Sequence, residues 1–112
     1  MNNISQAEDA SLKRVKSTKY GTQAWDYNSL VKTNDNLITI KTIFTPKDIQ
    51  KETKKQPINY TMQINCETKE FRDLVVNDIT NDHTSWHGDE GDKLINEIIN
   101  DACSSQSLKE QT

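Results

Sequence analysis

The most regular hydrophobic pattern in the chain runs from residue 58 to residue 66, where apolar and polar side chains alternate. Its apolar members are Ile58, Tyr60, Met62, Ile64 and Cys66. A period of two predicts a β-strand with one face turned toward a core. The polar stretch Glu67–Glu70 has the length of a hairpin connection, and Phe71–Ile79 contains the apolar residues of a returning strand. We therefore expect an antiparallel pair.

Two further segments upstream also have strand character. Leu37–Phe44 is rich in β-branched residues and lies between the turn-forming segment Asn34–Asn36 and Pro46, which is typical of a strand between turns. The first bulky apolar side chains come before it, at Ala24, Trp25, Tyr27 and Leu30. This earlier segment predicts either another strand or a cover over the edge of the core.

The last apolar pattern has the spacing of a helix. Asp92 can cap its N-terminus, and one apolar stripe follows at Leu94, Ile95, Ile98, Ile99, Ala102 and Cys103. The chain is therefore predicted to be an α+β protein, with an antiparallel sheet of three to four strands and one C-terminal helix packed on a face. We expect a single domain at 20–104, with flexible polar tails at 1–19 and 105–112.

Composition limits what this domain can do. A chain of 112 residues with 32% hydrophobic side chains has room for one modest core. The net charge of -3, from 14 Lys+Arg and 17 Asp+Glu, argues against nucleic acid as a partner. No segment approaches the ~20 apolar residues of a transmembrane helix. The polar start Met1–Ala10 lacks the apolar segment of a signal peptide.

The two cysteines, Cys66 and Cys103, lie on the apolar faces of the predicted strand and helix. If the helix packs across the sheet, the two sulfurs can meet and form a disulfide, which would contribute roughly 4 kcal/mol on the chain-entropy model. A disulfide indicates an oxidising compartment such as the periplasm, the cell surface or the secretory route. The alternative is a pair of buried free thiols in a cytosolic protein.

No catalytic motif is present, and one segment contains metal-ligand residue types. His83 and His87 lie in the acidic stretch Asp82–Asp92, where imidazole and carboxylate groups would suit zinc. The segment has the composition of a loop, so a solvated acidic loop is favoured over a metal site. Cys66 faces inward, where a thiolate would be desolvated and inert. We expect no enzymatic activity and no cofactor.

Two other sets of residues allow a structural and a binding interpretation. The lysines of one polar segment are expected to keep strand edges soluble, with docking to an anionic surface as the alternative. Trp25 and Trp86 are expected to be core or core-edge aromatics, with exposed binding anchors as the alternative. The lysines concerned are Lys47, Lys51, Lys54 and Lys55.

The order of several short motifs resembles the surface-adhesin protein E family of small bacterial cell-envelope proteins. The segment Asp26–Leu30 resembles the family's early Asp-x-x-Ser-aliphatic motif. Ile64-Asn65-Cys66 followed by Phe71-Arg72 resembles its strand with the first cysteine and the aromatic-Arg pair. Trp86 then precedes a helix that ends in Cys103, where the family places its second cysteine. The resemblance covers about Thr22–Cys103, although the chain has no lipobox cysteine.

The resemblance implies an antiparallel sheet, a packed helix and a cysteine pair in a protein of the periplasm, the cell surface or the secreted fraction. Adhesive members of the family bind host proteins, which implies a non-enzymatic module that binds a protein partner through an exposed face or edge of its sheet. The alternative is a cytosolic accessory or inhibitor protein that binds its partner through the acidic loop Asp82–Asp92.

Overall fold

The computed structural model describes residues 11–48, 53–54 and 56–110. These described residues form seven strands and one helix. They are β1 (Leu12–Arg14), β2 (Gly21–Asn34), β3 (Leu37–Asp48), β4 (Thr53–Lys54), β5 (Ile58–Asn65), β6 (Glu70–Val76), β7 (Ile79–Thr80) and α1 (Lys93–Glu110).

All the strand pairs are antiparallel, and six strands lie side by side in the order β1-β2-β3-β5-β6-β7, while β4 pairs with the end of β3. The α+β class and the C-terminal helix are confirmed, but the predicted count of three to four strands was wrong. The extra edge strands are short: β1 has three residues and β7 has two. Such strands need only main-chain hydrogen bonds to a neighbour, so they carry no hydrophobic alternation that sequence patterns could reveal.

Elements of this fold lie on both sides of the expected domain 20–104, whose bounds stay a prediction. Strand β1 and the following Val15, which packs against the core, lie within the stretch 1–19. At the other end, α1 continues through Glu110.

Helix α1 begins where the apolar stripe begins because Asp92 caps it. The Asp92 Oδ1 atom accepts the main-chain N–H groups of Leu94 and Ile95 at 3.0 and 3.1 Å, which satisfies two donors that an uncapped helix leaves free. The stripe itself turns toward the sheet, as the spacing predicts, with Ile98 and Ile99 almost fully buried.

The core lies between α1 and one face of the sheet. Trp25 is fully buried there, which confirms its expected place in the core. Its indole Nε1–H donates to Asp101 Oδ2 on the helix at 2.8 Å, so the largest core side chain also has its polar group satisfied. The remaining buried apolar residues of this cluster are Leu30, Ile38, Ile40, Met62, Ile64, Ile98, Ile99 and Ala102.

A disulfide joins Cys66, just after β5, to Cys103 on α1, with the two Cα atoms 5.7 Å apart. Both residues pack against the core, and the structure contains no free cysteine. The bond therefore fastens the helix to the end of the sheet, as the shared inward orientation of the two residues predicts.

Strand β2 carries a large irregularity at Asp26–Leu30, the segment of the Asp-x-x-Ser-aliphatic motif. Regular pairing with β3 stops after Asp26 and resumes at Val31. Within the interruption, the Ser29 hydroxyl donates to the Asp26 carbonyl at 2.6 Å and accepts the Lys41 N–H at 2.8 Å. The serine thus takes over the role of a missing main-chain partner, and Leu30 is placed in the core.

Among the described residues, no helix combines the length and the apolar character needed to cross a lipid bilayer.

Candidate functional site

The sheet has two unlike faces, and the one away from α1 is the candidate interaction surface. Successive residues of a strand point to opposite faces, so the neighbours of the buried core residues point away from the helix. One such row crosses four strands in register through Asp26, Lys41, Thr61 and Val75. We call this side of the sheet the open face. It carries side chains of both charge signs beside apolar ones.

A shallow depression of about 500 Å³ lies on the open face. Apolar side chains from three strands contribute to it, and charged or polar groups stand beside them. Exposed Lys41 and Asn59 lie along it. A patch with apolar side chains among polar groups matches the make-up of non-obligate protein interfaces. Its lining comprises Leu12, Asp26, Lys41, Thr42, Ile43, Asn59, Tyr60, Thr61, Val75 and Asp78.

Arg72 and Trp86 form a stacked pair beside this surface. The Arg72 guanidinium carbon lies 4.5 Å from the centre of the Trp86 ring, and its Nε donates to Gln63 Oε1 on the adjacent strand at 2.8 Å. Trp86 is half-buried against Arg72, and its expected position at the core or the core edge stays a prediction. The pair presents a guanidinium and an indole in a fixed arrangement, and these two groups are common energetic anchors of protein interfaces.

A second concavity lies on the other side of the sheet, between β5, β6 and the start of α1. It has a volume of about 230 Å³. The phenol of Tyr60 and the carboxyl group of Asp73 are the titratable groups that the sheet contributes to its lining. We call this concavity the Asp73 cleft. Its lining comprises Gln23, Phe44, Tyr60, Met62, Phe71, Asp73, Asp92 and Ile95.

Both titratable groups of the sheet in this cleft are perturbed. Burial raises the pKa of the Asp73 carboxyl, while nearby His87 opposes the rise. Burial also raises the pKa of the Tyr60 phenol, and the negative charges of Asp73 and Asp92 raise it further. The Asp73 Oδ1 atom is buried and accepts no hydrogen bond from any group of the described chain.

The two histidines proposed as weak metal ligands have different environments. His83 lies exposed in the loop. His87 exchanges both main-chain hydrogen bonds with Phe71, and its ring centre lies 4.8 Å from that of Phe71. Within residues 11–48, 53–54 and 56–110, no group of three or more His, Cys, Asp or Glu side chains is placed to hold a metal ion.

In the acidic loop before α1, some carboxylates accept hydrogen bonds from groups of the loop and the helix. Asp89 accepts the Gly91 N–H at 3.0 Å and the Asn96 side-chain amide at 2.8 Å, and these hydrogen bonds lower the pKa of its carboxyl. Together with the Asp92 cap, this organises the start of the helix.

The lysine run is only partly described. Lys47 is exposed near the end of β3 and pairs through its main chain with Lys54 of β4. Lys51 and Lys55 lie outside the described residues. The proposed gatekeeper or anion-docking role of the run therefore stays a prediction.

Tyr60 and Asp73 were not recognised as functional candidates from the sequence. Tyr60 looked like one more apolar member of an alternating strand. A signal existed for Asp73, which stands two residues after Phe71 and so falls on the same face of β6. A carboxylate on an inward strand face is unusual enough to mark a possible site.

The model of the surface adhesin-E family matches residues 13–110. The match begins at the second residue of β1 and ends at the last residue of α1, so it covers the helix and every described strand residue except Leu12. The comparison with curated proteins and the comparison with solved structures each gave no match.

Proposed function

This chain belongs to the surface adhesin-E family, and from that membership we propose that it is a non-enzymatic, adhesin-like module that binds a protein partner outside the cytoplasm. The observation that carries the proposal is the arrangement of the sheet, in which the helix and disulfide brace one face and leave Lys41 and Asn59 exposed on the other. A braced sheet presents its opposite face as a rigid surface, which limits the entropy lost on binding.

The disulfide supports a location outside the cytoplasm. Cytosolic reductants keep most protein thiols reduced, whereas the periplasm, the cell surface and the secretory route preserve disulfides. The bond between Cys66 and Cys103 fits the second group of compartments, and so does a surface adhesin family.

The open face supports binding to a protein. It offers apolar side chains such as Ile43 and Val75 together with the charges of Asp26 and Lys41. The stacked Arg72–Trp86 pair adds two side chains whose mobility is already reduced. The acidic loop is the less favoured surface because Asp89 and Asp92 are hydrogen-bonded to the start of α1.

Compartment and redox state are tested on the natural full-length gene. Cells expressing it are fractionated, and thiols are alkylated before lysis. We expect the protein in the envelope or secreted fraction with Cys66 and Cys103 protected from alkylation. Protein in the cytosolic fraction with two reactive thiols would reject the proposed location.

Adhesion is tested with a pair of charge reversals on purified, oxidised protein. Lys41→Glu alters the open face, and Lys93→Glu makes the same change at an exposed position on the helix side. Saturable binding to host-cell surfaces or immobilised extracellular-matrix proteins is measured for both. We expect Lys41→Glu to weaken binding about tenfold and Lys93→Glu to leave it unchanged. No saturable binding by the unaltered chain would reject adhesion, and equal binding by both variants would reject the open face.

A further inference from the structure

We propose that the Asp73 cleft binds an alkylammonium group, with the cation against the Asp73 carboxylate and the aliphatic stem among the apolar walls. Asp73, whose Oδ1 atom is buried without a hydrogen-bond donor, lines the cleft beside mainly apolar and aromatic side chains. Nothing in the proposed adhesion through the open face requires this cleft, since it lies on the helix side of the sheet. The two proposals can therefore fail separately.

The first step of the argument is the position of Asp73. It pairs with Met62, which is almost fully buried on the face that α1 covers. Its carbonyl accepts the side-chain amide of Asn81 at 3.3 Å, but its Oδ1 atom has no donor within the described chain. A buried acceptor without a donor carries a desolvation cost, and a cation held against the same carboxylate offsets that cost through a charge-assisted interaction.

The second step is the chemistry of the walls. Phe44, Tyr60 and Phe71 bring aromatic rings to the cleft, while Met62 and Ile95 bring aliphatic surface. Aromatic faces attract cations, and aliphatic surface favours a methylene chain. In an alkylammonium ligand, the ammonium group can contact the aromatic rings and the alkyl stem can contact the aliphatic side chains. A carboxylate ligand would instead be repelled by the negative charge of Asp73.

The third step is size and competing ligands. A volume of about 230 Å³ is below that of most sites for drug-sized molecules, and it suits a short linear group. A divalent metal would need several oxygen or nitrogen ligands converging on one point. The described residues provide no such group of three His, Cys, Asp or Glu side chains.

Titratable groups face Asp73 from every packed element. Tyr60 approaches from β5, His87 from the segment that pairs with β6, and Asp92 from the start of α1. Tyr60 is a neutral phenol at pH 7, and the upward shift of its pKa only strengthens that state. Asp92 adds negative charge that attracts a cation, while positive charge on His87 opposes it. Binding should therefore be strongest above the raised pKa of Asp73 and should weaken as the pH falls through it.

The test uses n-butylammonium as the probe, with n-butanol and butyrate as neutral and anionic controls of the same chain length. Amide chemical shifts are followed in the purified, oxidised chain at pH 7. We expect saturable shifts at Tyr60, Met62 and Asp73 with n-butylammonium alone. Absence of saturation, or equal shifts with n-butanol, overturns the proposal.

Two variants decide whether the carboxylate is responsible. Asp73→Asn keeps the shape but removes the charge, and Asp35→Asn makes the same change at an exposed turn that does not line the cleft. We expect affinity for n-butylammonium to fall about tenfold or more in Asp73→Asn and to stay unchanged in Asp35→Asn. Circular dichroism confirms that both variants are folded. Tyr60→Phe serves as a further variant, which removes the phenol hydroxyl from the cleft. Unchanged affinity in a folded Asp73→Asn overturns the proposal.

A second set of probes identifies the natural source of the ammonium group. Acetyl-lysine-methylamide, with its α-amine blocked and its side chain free, represents a lysine of a protein partner, and acetyl-norleucine-methylamide is its uncharged control. Tighter binding of the lysine derivative than of n-butylammonium assigns the cleft to a partner's lysine side chain. Tighter binding of n-butylammonium assigns it to a free amine. Both results support an alkylammonium site.

Discussion

The disulfide offers the sharpest test of how this fold is held together. The bond between Cys66 and Cys103 can be removed in two ways, by reducing it in the unaltered chain or by making Cys66→Ala/Cys103→Ala. Reduction removes the cross-link and keeps the side-chain volume, whereas the double substitution also removes two sulfur atoms that pack against the core.

The size of the effect follows from the length of chain that the bond closes. The two cysteines are 37 residues apart, and on the chain-entropy model a loop of that length contributes about 4 kcal/mol to the free energy of unfolding. Domains of this size are stable by about 5–15 kcal/mol. Loss of the cross-link should therefore remove a large share of the stability, and the alanine pair should lose slightly more than the reduced protein because cavities form.

Urea unfolding followed by circular dichroism measures this directly. With an m-value of about 2 kcal/mol/M, a loss of 4 kcal/mol lowers the midpoint by about 2 M urea. Ser104→Ala, at an exposed position next to Cys103 on α1, controls for a change in the helix alone and should leave the midpoint unchanged. A loss below about 1 kcal/mol on reduction would refute the reasoning, since packing of α1 would then suffice without the bond.

Three other substitutions test local features. Ser29→Ala should lower the free energy of unfolding by about 1–2 kcal/mol in urea titration, because the Lys41 N–H loses its partner; no change would mean that water replaces the hydroxyl. Asp92→Ala should cost about 1 kcal/mol and lower the melting temperature, because two main-chain donors of α1 lose their cap; an unchanged melting temperature would contradict this. The raised pKa of Asp73 means that the folded state binds a proton more tightly than the unfolded state, so stability falls as the pH rises from the unfolded pKa through the folded one. Asp73→Asn should abolish that loss and Asp35→Asn should retain it, and identical stability-pH profiles for the two would contradict the assignment.

The Asp-x-x-Ser-aliphatic segment shows how a sequence motif can serve structure. Ser29 holds the irregular part of β2 by hydrogen bonds in both directions, and Leu30 enters the core as a result. The Asp26 side chain accepts the Asn28 N–H at 2.9 Å in the same segment. These residues therefore position the edge of the open face. Their structural role accounts for the motif without a bound ligand.

Hydrophobic periodicity was enough to predict the two most regular elements, β5 and α1. Alternation over residues 58–66 defined β5 and its inward face, and the helical stripe after Asp92 defined α1 and the side on which it packs. Together they oriented both cysteines toward one core, because side-chain direction follows directly from a period of 2 or 3.6 residues. Fold class and the disulfide pairing depend on that direction, so both could be predicted.

Tertiary structure alone decided the edges of the sheet and the two candidate surfaces. Edge strands β1 and β7 depend on main-chain pairing, which leaves no mark on the side-chain pattern. Phe71 and Val76 are five residues apart and would point to opposite faces of a regular strand. In β6, a bulge at Leu74 places them on the same face. Whether Asp73 is solvated or desolvated then depends on α1 packing above it, and no local pattern of residues contains that information.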